Sequence, residues 1–327
     1  MTRLLTDPIG RTINYLRLSV TDRCNLRCSY CMPAEGVDKV GHGDILSYEE
    51  LLRIARAAVA IGIKKIRITG GEPLVRKNII RFLQELAAIP GLDQLVLTTN
   101  GMLLDEMAGD LYAAGVQRLN ISLDSLDPDT FMRISRCCGL PRVLAGIETA
   151  RSCGFPIKLN MVVMRGINDH EILDFAALAS STATAVRFIE YMPAIREQDW
   201  QRLVVPGSEI LERLERHVTL IPLEHALMAG PSRNFRIPGA PGTIGVITPI
   251  SHHFCSECNR IRVTASGMAK GCLFADTQID LKPALRNGSD ELLMNALGGM
   301  VHSKPDRHRL SADECHHNPF SMSSIGG

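Results

Sequence analysis

Short runs of apolar, β-branched residues alternate with amphipathic stretches along the chain as far as Glu190. The apolar runs predict strands, and the stretches between them repeat apolar residues at helical spacing. A strand followed by a helix, repeated, is typical of a parallel sheet with crossover helices. The six predicted strands cover residues 15–20, 65–69, 94–98, 118–123, 157–163 and 185–190.

The clearest helix start lies at Ser47, because Glu50 three residues later completes a capping box ahead of an apolar repeat. Further helices are predicted over residues 78–88, 105–114, 141–151 and 169–180. Six strand-helix units are fewer than the eight of a closed barrel. We therefore predict an α/β fold built on a partial, open (βα)6 barrel, with its functional site at the carboxyl ends of the strands.

The pattern changes after Pro193. A helix is predicted over residues 207–217, a segment rich in proline and glycine over 230–242, and short strands over 244–250 and 260–264. We predict two domains: the barrel over residues 1–195, and a smaller C-terminal domain over 196–327.

Composition narrows the classes of partner. The 327 residues include 36 Lys and Arg against 35 Asp and Glu, a net charge of +1, which disfavours nucleic acid and anionic membranes as partners. No apolar stretch reaches the length of a membrane helix, and the amino terminus lacks the apolar run of a secretory signal. We therefore expect a cytoplasmic protein whose ten cysteines are reduced and serve as metal ligands, catalytic thiols or core residues.

The first cysteine set, Cys24-x3-Cys28-x2-Cys31, follows the first predicted strand. Three thiolates can hold a four-iron cluster and leave one iron open for another ligand. A structural zinc site is the alternative, but such a site normally takes four protein ligands. The spacing and the ligand count favour iron and sulfide.

A second set, Cys255-x2-Cys258-x13-Cys272, again offers three thiols. Here His252 or His253 could complete a zinc site, so both kinds of metal centre stay open. Arg260 and Arg262 alternate along the predicted strand and therefore share one of its faces. Because the guanidinium fork suits phosphate oxygens, this pair indicates an anionic substrate.

The first set, with Tyr30 directly before its last cysteine, resembles the radical S-adenosylmethionine (SAM) enzymes. The turn Gly70-Gly71-Glu72-Pro73 after the second strand is by itself an ordinary strand-to-helix turn, but beside these cysteines it is similar to the GGEP motif of that superfamily. The resemblance implies a [4Fe-4S] cluster on Cys24, Cys28 and Cys31 whose open iron binds SAM. The implied SAM contacts are Tyr30, Gly71, Ser122 and Met192.

Nearly the whole chain resembles the MoaA-type GTP 3′,8-cyclase family, which begins molybdenum cofactor biosynthesis. The strings that carry this resemblance lie at residues 16–25, 66–73, 98–101, 122–127, 187–190, 254–260 and 325–327. It implies a second [4Fe-4S] cluster on Cys255, Cys258 and Cys272 that faces the guanine of GTP. The implied substrate contacts are Arg17, Arg67, Thr98, Lys158, Arg260 and Arg262, with Lys65 and Arg187 as weaker candidates, and Arg17, Arg260 and Arg262 are the implied catalytic residues.

No GxxxxGK[ST] or GxGxxG motif occurs, so charged side chains must neutralise a triphosphate. The resemblance implies that a 5′-deoxyadenosyl radical removes the 3′ hydrogen of GTP and that the ribose radical attacks C8. Delivery of one electron and one proton to the resulting nucleotide radical then yields 3′,8-cyclo-7,8-dihydro-GTP. It also implies a homodimer, an external electron donor, a downstream pterin-forming enzyme as a further partner, and a Gly326-Gly327 tail that reaches the arginines.

Two other functions stay open at this stage: a radical SAM maturase with an auxiliary cluster, and a zinc-binding module without enzymatic activity. The sequence assigns no role to Cys137, Cys138, Cys153 or Cys315.

Overall fold

The computed structural model describes residues 5–36, 43–193, 199–224, 230–308, 310 and 322–325. Within these residues the strands join into one twelve-stranded sheet. The strands are β1 (Tyr15–Ser19), β2 (Lys65–Thr69), β3 (Gln94–Thr99), β4 (Arg118–Ser122), β5 (Ile157–Val163), β6 (Ala185–Glu190), β7 (Ile221–Pro222), β8 (Arg233–Arg236), β9 (Thr243–Ile247), β10 (Arg260–Val263), β11 (Met268–Lys270) and β12 (Ile279–Asp280).

The six predicted strands are confirmed as β1 to β6, which are parallel and neighbour one another in chain order. Beyond them, β9 pairs in parallel with β6, and β10 pairs in parallel with β1. Strands from the C-terminal part of the chain therefore extend both edges of the central sheet. The division of the chain near residue 195 stays a prediction.

Helices occupy the connections, as predicted for a parallel sheet. They are α1 (Tyr48–Ala60), α2 (Ile79–Ala87), α3 (Leu104–Ala113), α4 (Pro128–Ser135), α5 (Leu140–Ser152), α6 (Ile172–Ser181), α7 (Gly207–Glu215), α8 (Lys282–Asn287), α9 (Asp290–His302) and α10 (Met322–Ile325). The capping box that starts α1 is present, with the Ser47 hydroxyl accepting from the Glu50 amide and the Glu50 carboxylate accepting from the Ser47 amide. The fold prediction, an α/β protein with a parallel sheet, is confirmed.

The sequence analysis missed four helices, α4, α8, α9 and α10, and two of these, α4 and α9, begin at a side-chain cap. Asp127 caps α4, since its carboxylate accepts from the Thr130 amide at 2.8 Å, and Pro128 begins the first turn. Ser289 caps α9, and the Arg53 guanidinium on α1 reaches Asp290 at 2.8 Å. Both starts carry ordinary capping signals that the apolar pattern alone did not reveal.

The buried carboxylate of Glu190 ties the end of β6 to the C-terminal part of the chain. It accepts hydrogen bonds from the backbone amides of Gly207 at 2.7 Å, Ile250 at 2.9 Å and Ser251 at 3.0 Å, and from the Ser251 hydroxyl. These bonds fix the loop that leads from β9 toward the second cysteine set.

None of the described helices combines the length and the apolar composition needed to cross a bilayer.

Candidate active site

One cavity of about 260 Å³ collects nearly all of the residues that the sequence singled out. Side chains from β1, β2, β3, β4, β5, β6 and β10 face it, so the sheet curves around it as an open barrel does. The predicted site residues on its wall are Arg17, Cys24, Cys28, Tyr30, Cys31, Arg67, Gly71, Thr98, Ser122, Arg187, Met192, Cys255, Cys258, Arg260, Arg262 and Cys272. Lys158 and Lys65 do not line the wall but lie among its charged neighbours.

The glycine turn after β2 pairs with the backbone just before the first cysteine set. The Gly71 amide donates to the Thr21 carbonyl at 2.7 Å, and the Glu72 amide donates to the Arg23 carbonyl at 2.7 Å. A Cβ atom on Gly71 would lie 2.3 Å from the Arg23 carbonyl oxygen. This close approach explains why the turn needs a glycine there, independently of any ligand.

Two polar residues at neighbouring strand ends, neither of which was predicted to have a role, position the first cysteine loop. The Tyr30 hydroxyl donates to Asp124 Oδ2 at 2.8 Å, and the Val162 amide donates to Asp124 Oδ1 at 2.9 Å. Asn100 donates to Asn25 Oδ1 at 2.7 Å. Asp124 and Asn100 belong to motifs noted above, and their place after β4 and β3 was the available signal.

The end of α4 supports the other side of the same loop. The Arg27 amide donates to the Ser135 carbonyl at 3.0 Å, and the Ser29 amide donates to the Ile134 carbonyl at 2.9 Å. Arg136, in the left-handed conformation with φ of 56°, donates from Nη1 to the carbonyls of Arg27 and Met32. The first cysteine loop is therefore held by backbone contacts on both sides.

The second cysteine set begins in a short 3₁₀ turn over Cys255–Glu257 and continues into β10. Burial raises the pKa of the Cys258 thiol, but the positive charges of Arg260 and Lys304 outweigh burial and lower that pKa to about 6. The Arg260 guanidinium also lies over the Phe254 ring, 5.3 Å from its centroid. Cys258 is therefore set up as a thiolate, the form in which cysteine binds metal.

The spread of the thiols distinguishes an iron-sulfur cluster from a single zinc ion. In tetrahedral zinc sites the sulfurs lie about 3.8 Å apart, since each Zn–S bond is about 2.3 Å. Within the described residues, neither cysteine set brings all three of its sulfurs within 4.8 Å of one another. The wider spread suits three corners of a multi-iron cluster, so the residues fit this group at both places.

His253, Cys255 and His308 do place one ligand atom each within 4.8 Å of one another. This group includes only one cysteine of the second set, and His253 Nε2 is already 3.1 Å from the Leu310 carbonyl oxygen. The His253 alternative therefore does not gather the three predicted thiols around one ion.

Cationic side chains lie in register across the strands beside the cysteines. Arg17 on β1 pairs in register with Arg67 on β2 and with Arg262 on β10. Two residues earlier on the same strands, Tyr15 on β1 pairs in register with Lys65 on β2 and with Arg260 on β10. Because partners in register share a face of the sheet, these residues form a continuous charged surface on the cavity side.

Several polar atoms of this surface are buried without a hydrogen-bond partner in the described part of the chain: Nε of Arg17, Arg67 and Arg187, and Oγ1 of Thr98. Buried polar groups are nearly always hydrogen-bonded in native structures. Donors left open in a cavity rich in guanidinium groups suit an anionic ligand with several oxygens, such as a triphosphate.

Burial and the charges of these cations together shift the pKa values of the ionisable groups at this end of the cavity. Burial, together with the charges of Arg187, Arg118, Lys65 and Arg67, lowers the pKa of Lys158 to about 6. Burial opposes ionisation of Tyr15, but the charges of Arg67, Arg17, Lys65 and Arg260 outweigh it and lower the pKa of the phenol to about 7. Without a ligand, this end of the cavity carries an excess of positive charge.

The C-terminal segment approaches the same cavity. Met322 lines its wall, and Ile325 is buried. Gly326, Gly327 and Cys315 lie outside the described residues.

Comparison with known proteins agrees with this geometry. The radical SAM superfamily profile matches residues 18–179, and the profile for the C-terminal region of molybdenum cofactor synthesis proteins matches residues 184–310. Among solved structures, SuiB from Streptococcus suis has a similar fold, with a TM-score of 0.62 at 13% identity, covering 88% of this chain and 68% of that one. At that identity the likeness shows the fold alone.

Two relatives match over the full length. A GTP 3′,8-cyclase of Geobacter sulfurreducens is 64% identical over 324 residues, covering 99% of both chains. A GTP 3′,8-cyclase of Moorella thermoacetica is 47% identical over 325 residues, covering 99% of this chain and 100% of the relative. The chain belongs to the GTP 3′,8-cyclase family, the radical SAM enzymes of molybdenum cofactor biosynthesis.

Proposed function

We propose that this chain converts GTP to 3′,8-cyclo-7,8-dihydro-GTP within the cavity described above. One observation carries the proposal: both cysteine sets and the arginines in register line the same cavity. A chamber of this kind can hold a nucleotide at one metal centre while chemistry starts at the other. Holding both reactants in place is the main contribution that a protein makes to such a reaction.

At the first centre, Cys24, Cys28 and Cys31 would hold a [4Fe-4S] cluster. Tyr30, Gly71, Ser122 and Met192 would contact SAM. When bound together, the cluster and SAM supply abstraction of a hydrogen atom from an unactivated C–H bond. The chain supplies position and shielding: Asp124 and Asn100 fix the loop that carries the ligands, and the walls of the cavity would surround the reacting groups.

At the second centre, Cys255, Cys258 and Cys272 would hold another [4Fe-4S] cluster, with an open corner toward the guanine. The triphosphate would be bound by the side chains with open donors and by their neighbours: Arg17, Arg67, Thr98, Lys158, Arg260 and Arg262, with Lys65 and Arg187 as further contacts. Of these, Arg17, Arg260 and Arg262 would orient the ribose and base for cyclisation. Bidentate contacts from guanidinium groups suit this task because they fix both distance and angle.

The same proposal includes a homodimer, an external electron donor and a downstream pterin-forming enzyme that takes the product. Six thiolate ligands in one chain require reducing surroundings, which supports action in the cytoplasm.

The test is an anaerobic assay of the reconstituted protein with GTP, SAM and a reductant. We expect 5′-deoxyadenosine and the cyclised nucleotide in equal amounts. Formation of 5′-deoxyadenosine without a cyclised purine would reject the substrate. Iron and sulfide analysis separates the zinc-binding alternative, because two clusters require about eight irons per chain.

Cys255→Ser tests the division of labour between the two sets. We expect this variant to keep the first cluster and SAM binding but to lose GTP cyclisation. Cys153→Ser is the matched control, since Cys153 packs beside the hydrophobic core and is not part of the cavity wall. Full cyclisation by Cys255→Ser would show that the second set is incidental.

A further inference from the structure

Lys304, just after α9, directs its side chain into the space behind the second cysteine set. It is only 6% exposed. Its Nζ atom donates to Cys258 Sγ at 3.3 Å, to the Arg260 carbonyl at 2.9 Å and to the Gly271 carbonyl at 2.5 Å. An ammonium group has three N–H donors, and these three acceptors use all of them. When Cys258 is a thiolate it can only accept, and a neutral amine would lack the third donor, so the ammonium form of Lys304 fits this geometry.

These acceptors lie in the two segments that carry Cys258 and Cys272, because Gly271 directly precedes Cys272. The fit against Gly271 is close, since a Cβ atom on that glycine would lie 3.1 Å from Lys304 Cα. Lys304 therefore joins two of the three predicted ligands through one buried charge.

Arg11 joins the third ligand to the same assembly. Its guanidinium donates to the Cys255 carbonyl at 2.7 Å, to the Pro305 carbonyl at 2.7 Å and to the Asp306 carbonyl at 3.1 Å. The Arg11 side chain is itself held by Asp7, at 2.5 Å. The residues that follow Lys304 are thus fastened to the loop that begins the second set, which fixes the lysine in place.

The first cysteine set has no equivalent contact in the described part of the chain. Cys24 Sγ accepts from the Leu26 amide at 3.4 Å and from Asn100 Nδ2 at 3.7 Å, and both of these donors are neutral. At the second set, Cys258 Sγ faces the Lys304 ammonium and also Arg260 Nη2 at 3.8 Å. The two metal centres therefore differ in the charge placed against their ligands.

We propose that Lys304 is a positioning residue that raises the reduction potential of the second cluster. This inference rests on the proposed function, because it assumes a cluster on Cys255, Cys258 and Cys272. Reduction adds one negative charge to a cluster, and a nearby cation that donates to a coordinating sulfur stabilises the reduced form. The second cluster would therefore have a higher reduction potential with the charge of Lys304 beside it than without that charge.

The test is a redox titration of the full chain, monitored by electron paramagnetic resonance. In this chain Cys24, Cys28 and Cys31 are changed to alanine, so that only the second cluster gives a signal. Lys304→Met should lower the equilibrium constant for reduction at least tenfold, which is 59 mV for a one-electron couple. Lys304→Arg, which keeps the charge, should recover most of the shift. Lys282→Met, at a surface lysine near Asp44, should leave the potential unchanged.

An unchanged potential in Lys304→Met, with iron content equal to that of the parent chain, would overturn the inference. Loss of iron from both Lys304→Met and Lys304→Arg would also overturn the inference. That result would show that Lys304 only holds together the two segments that carry Cys258 and Cys272. Failure of the proposed function looks different: the parent chain itself would then assemble no cluster on the second set.

Discussion

The Tyr30 hydroxyl donates a hydrogen bond to Asp124 Oδ2 at 2.8 Å, which ties the first cysteine loop to the end of β4. Asp124 is buried and Tyr30 is half-buried, and burial raises the pKa of Asp124 to about 6. The bond places a tyrosine from the first cysteine loop against the strand end that also carries Ser122. The geometry of the first centre therefore depends on a contact between segments 94 residues apart.

Tyr30→Phe removes this bond and leaves the Asp124 carboxyl with one partner fewer. We expect a loss of about 1.5 to 3 kcal/mol in the free energy of unfolding, the range for a hydrogen bond to a charged group, and weaker SAM binding. Chemical denaturation and SAM titration measure the two effects. Tyr48→Phe is the control, because its hydroxyl bonds the Lys77 carbonyl on the exposed surface. Equal effects in the two variants would contradict the role given to Tyr30.

Binding of GTP should take up protons through Lys158. Its pKa in the folded chain, about 6 against a usual 10.5, makes the lysine largely neutral at pH 8. Phosphate oxygens favour the ammonium form, so binding raises this pKa and captures a proton between about pH 6 and 10. Affinity for GTP should therefore fall as pH rises through that window.

Calorimetry in two buffers with different ionisation heats measures this uptake directly. Lys158→Gln should reduce it by close to one proton, whereas Lys64→Gln, at an exposed lysine, should not change it. The lowered pKa of Lys158 also makes the free energy of unfolding depend on pH. Between these pKa values the unfolded chain binds more protons than the folded chain, so this lysine makes stability without ligand rise with pH. Unaltered proton uptake in Lys158→Gln would exclude Lys158 from the phosphate site.

Arg260→Ala and Arg262→Ala should separate cyclisation from SAM cleavage. Each removes guanidinium donors from the wall near the second cysteine set. We expect the rate of GTP cyclisation to fall about a hundredfold, since a charge-assisted hydrogen bond contributes roughly 1.5 to 3 kcal/mol. Formation of 5′-deoxyadenosine should fall much less.

Chromatographic quantification of both products in one reaction gives the ratio. Arg53→Ala serves as the control, because Arg53 pairs with Asp290 on the outer surface. A parallel loss of both products in the Arg260 and Arg262 variants would indicate misfolding instead of a specific role.

Glu190→Ala should destabilise the whole chain. The substitution leaves the amides of Gly207, Ile250 and Ser251 without their acceptor in a buried place. We expect a loss of about 3 to 5 kcal/mol in the free energy of unfolding, measured by urea denaturation. Glu190→Gln, which keeps an acceptor oxygen, should lose less. The exposed pair of Glu212 with Arg216 supplies the control, and Glu212→Ala should change stability by less than about 1 kcal/mol.

The sequence by itself determined the local structure and the ligand chemistry. The predicted strands agree with β1 to β6 to within one residue at each end, because each is a short run rich in apolar residues next to a turn signal. The cysteine spacings, the glycine turn and the alternation of Arg260 with Arg262 are likewise local patterns, and they can be read from neighbours in the chain. Family membership followed from the same strings.

Only the tertiary structure decided which distant residues meet. The register of Arg17 with Arg262 depends on β10 adding to the edge of the sheet beside β1, and no local pattern specifies that pairing. Lys304 and Arg11 were missed for the same reason: each is an ordinary charged residue in sequence, and its role comes from burial against carbonyls more than thirty positions away. Contacts of that kind arise from the packing of the whole sheet, so only the folded chain reveals them.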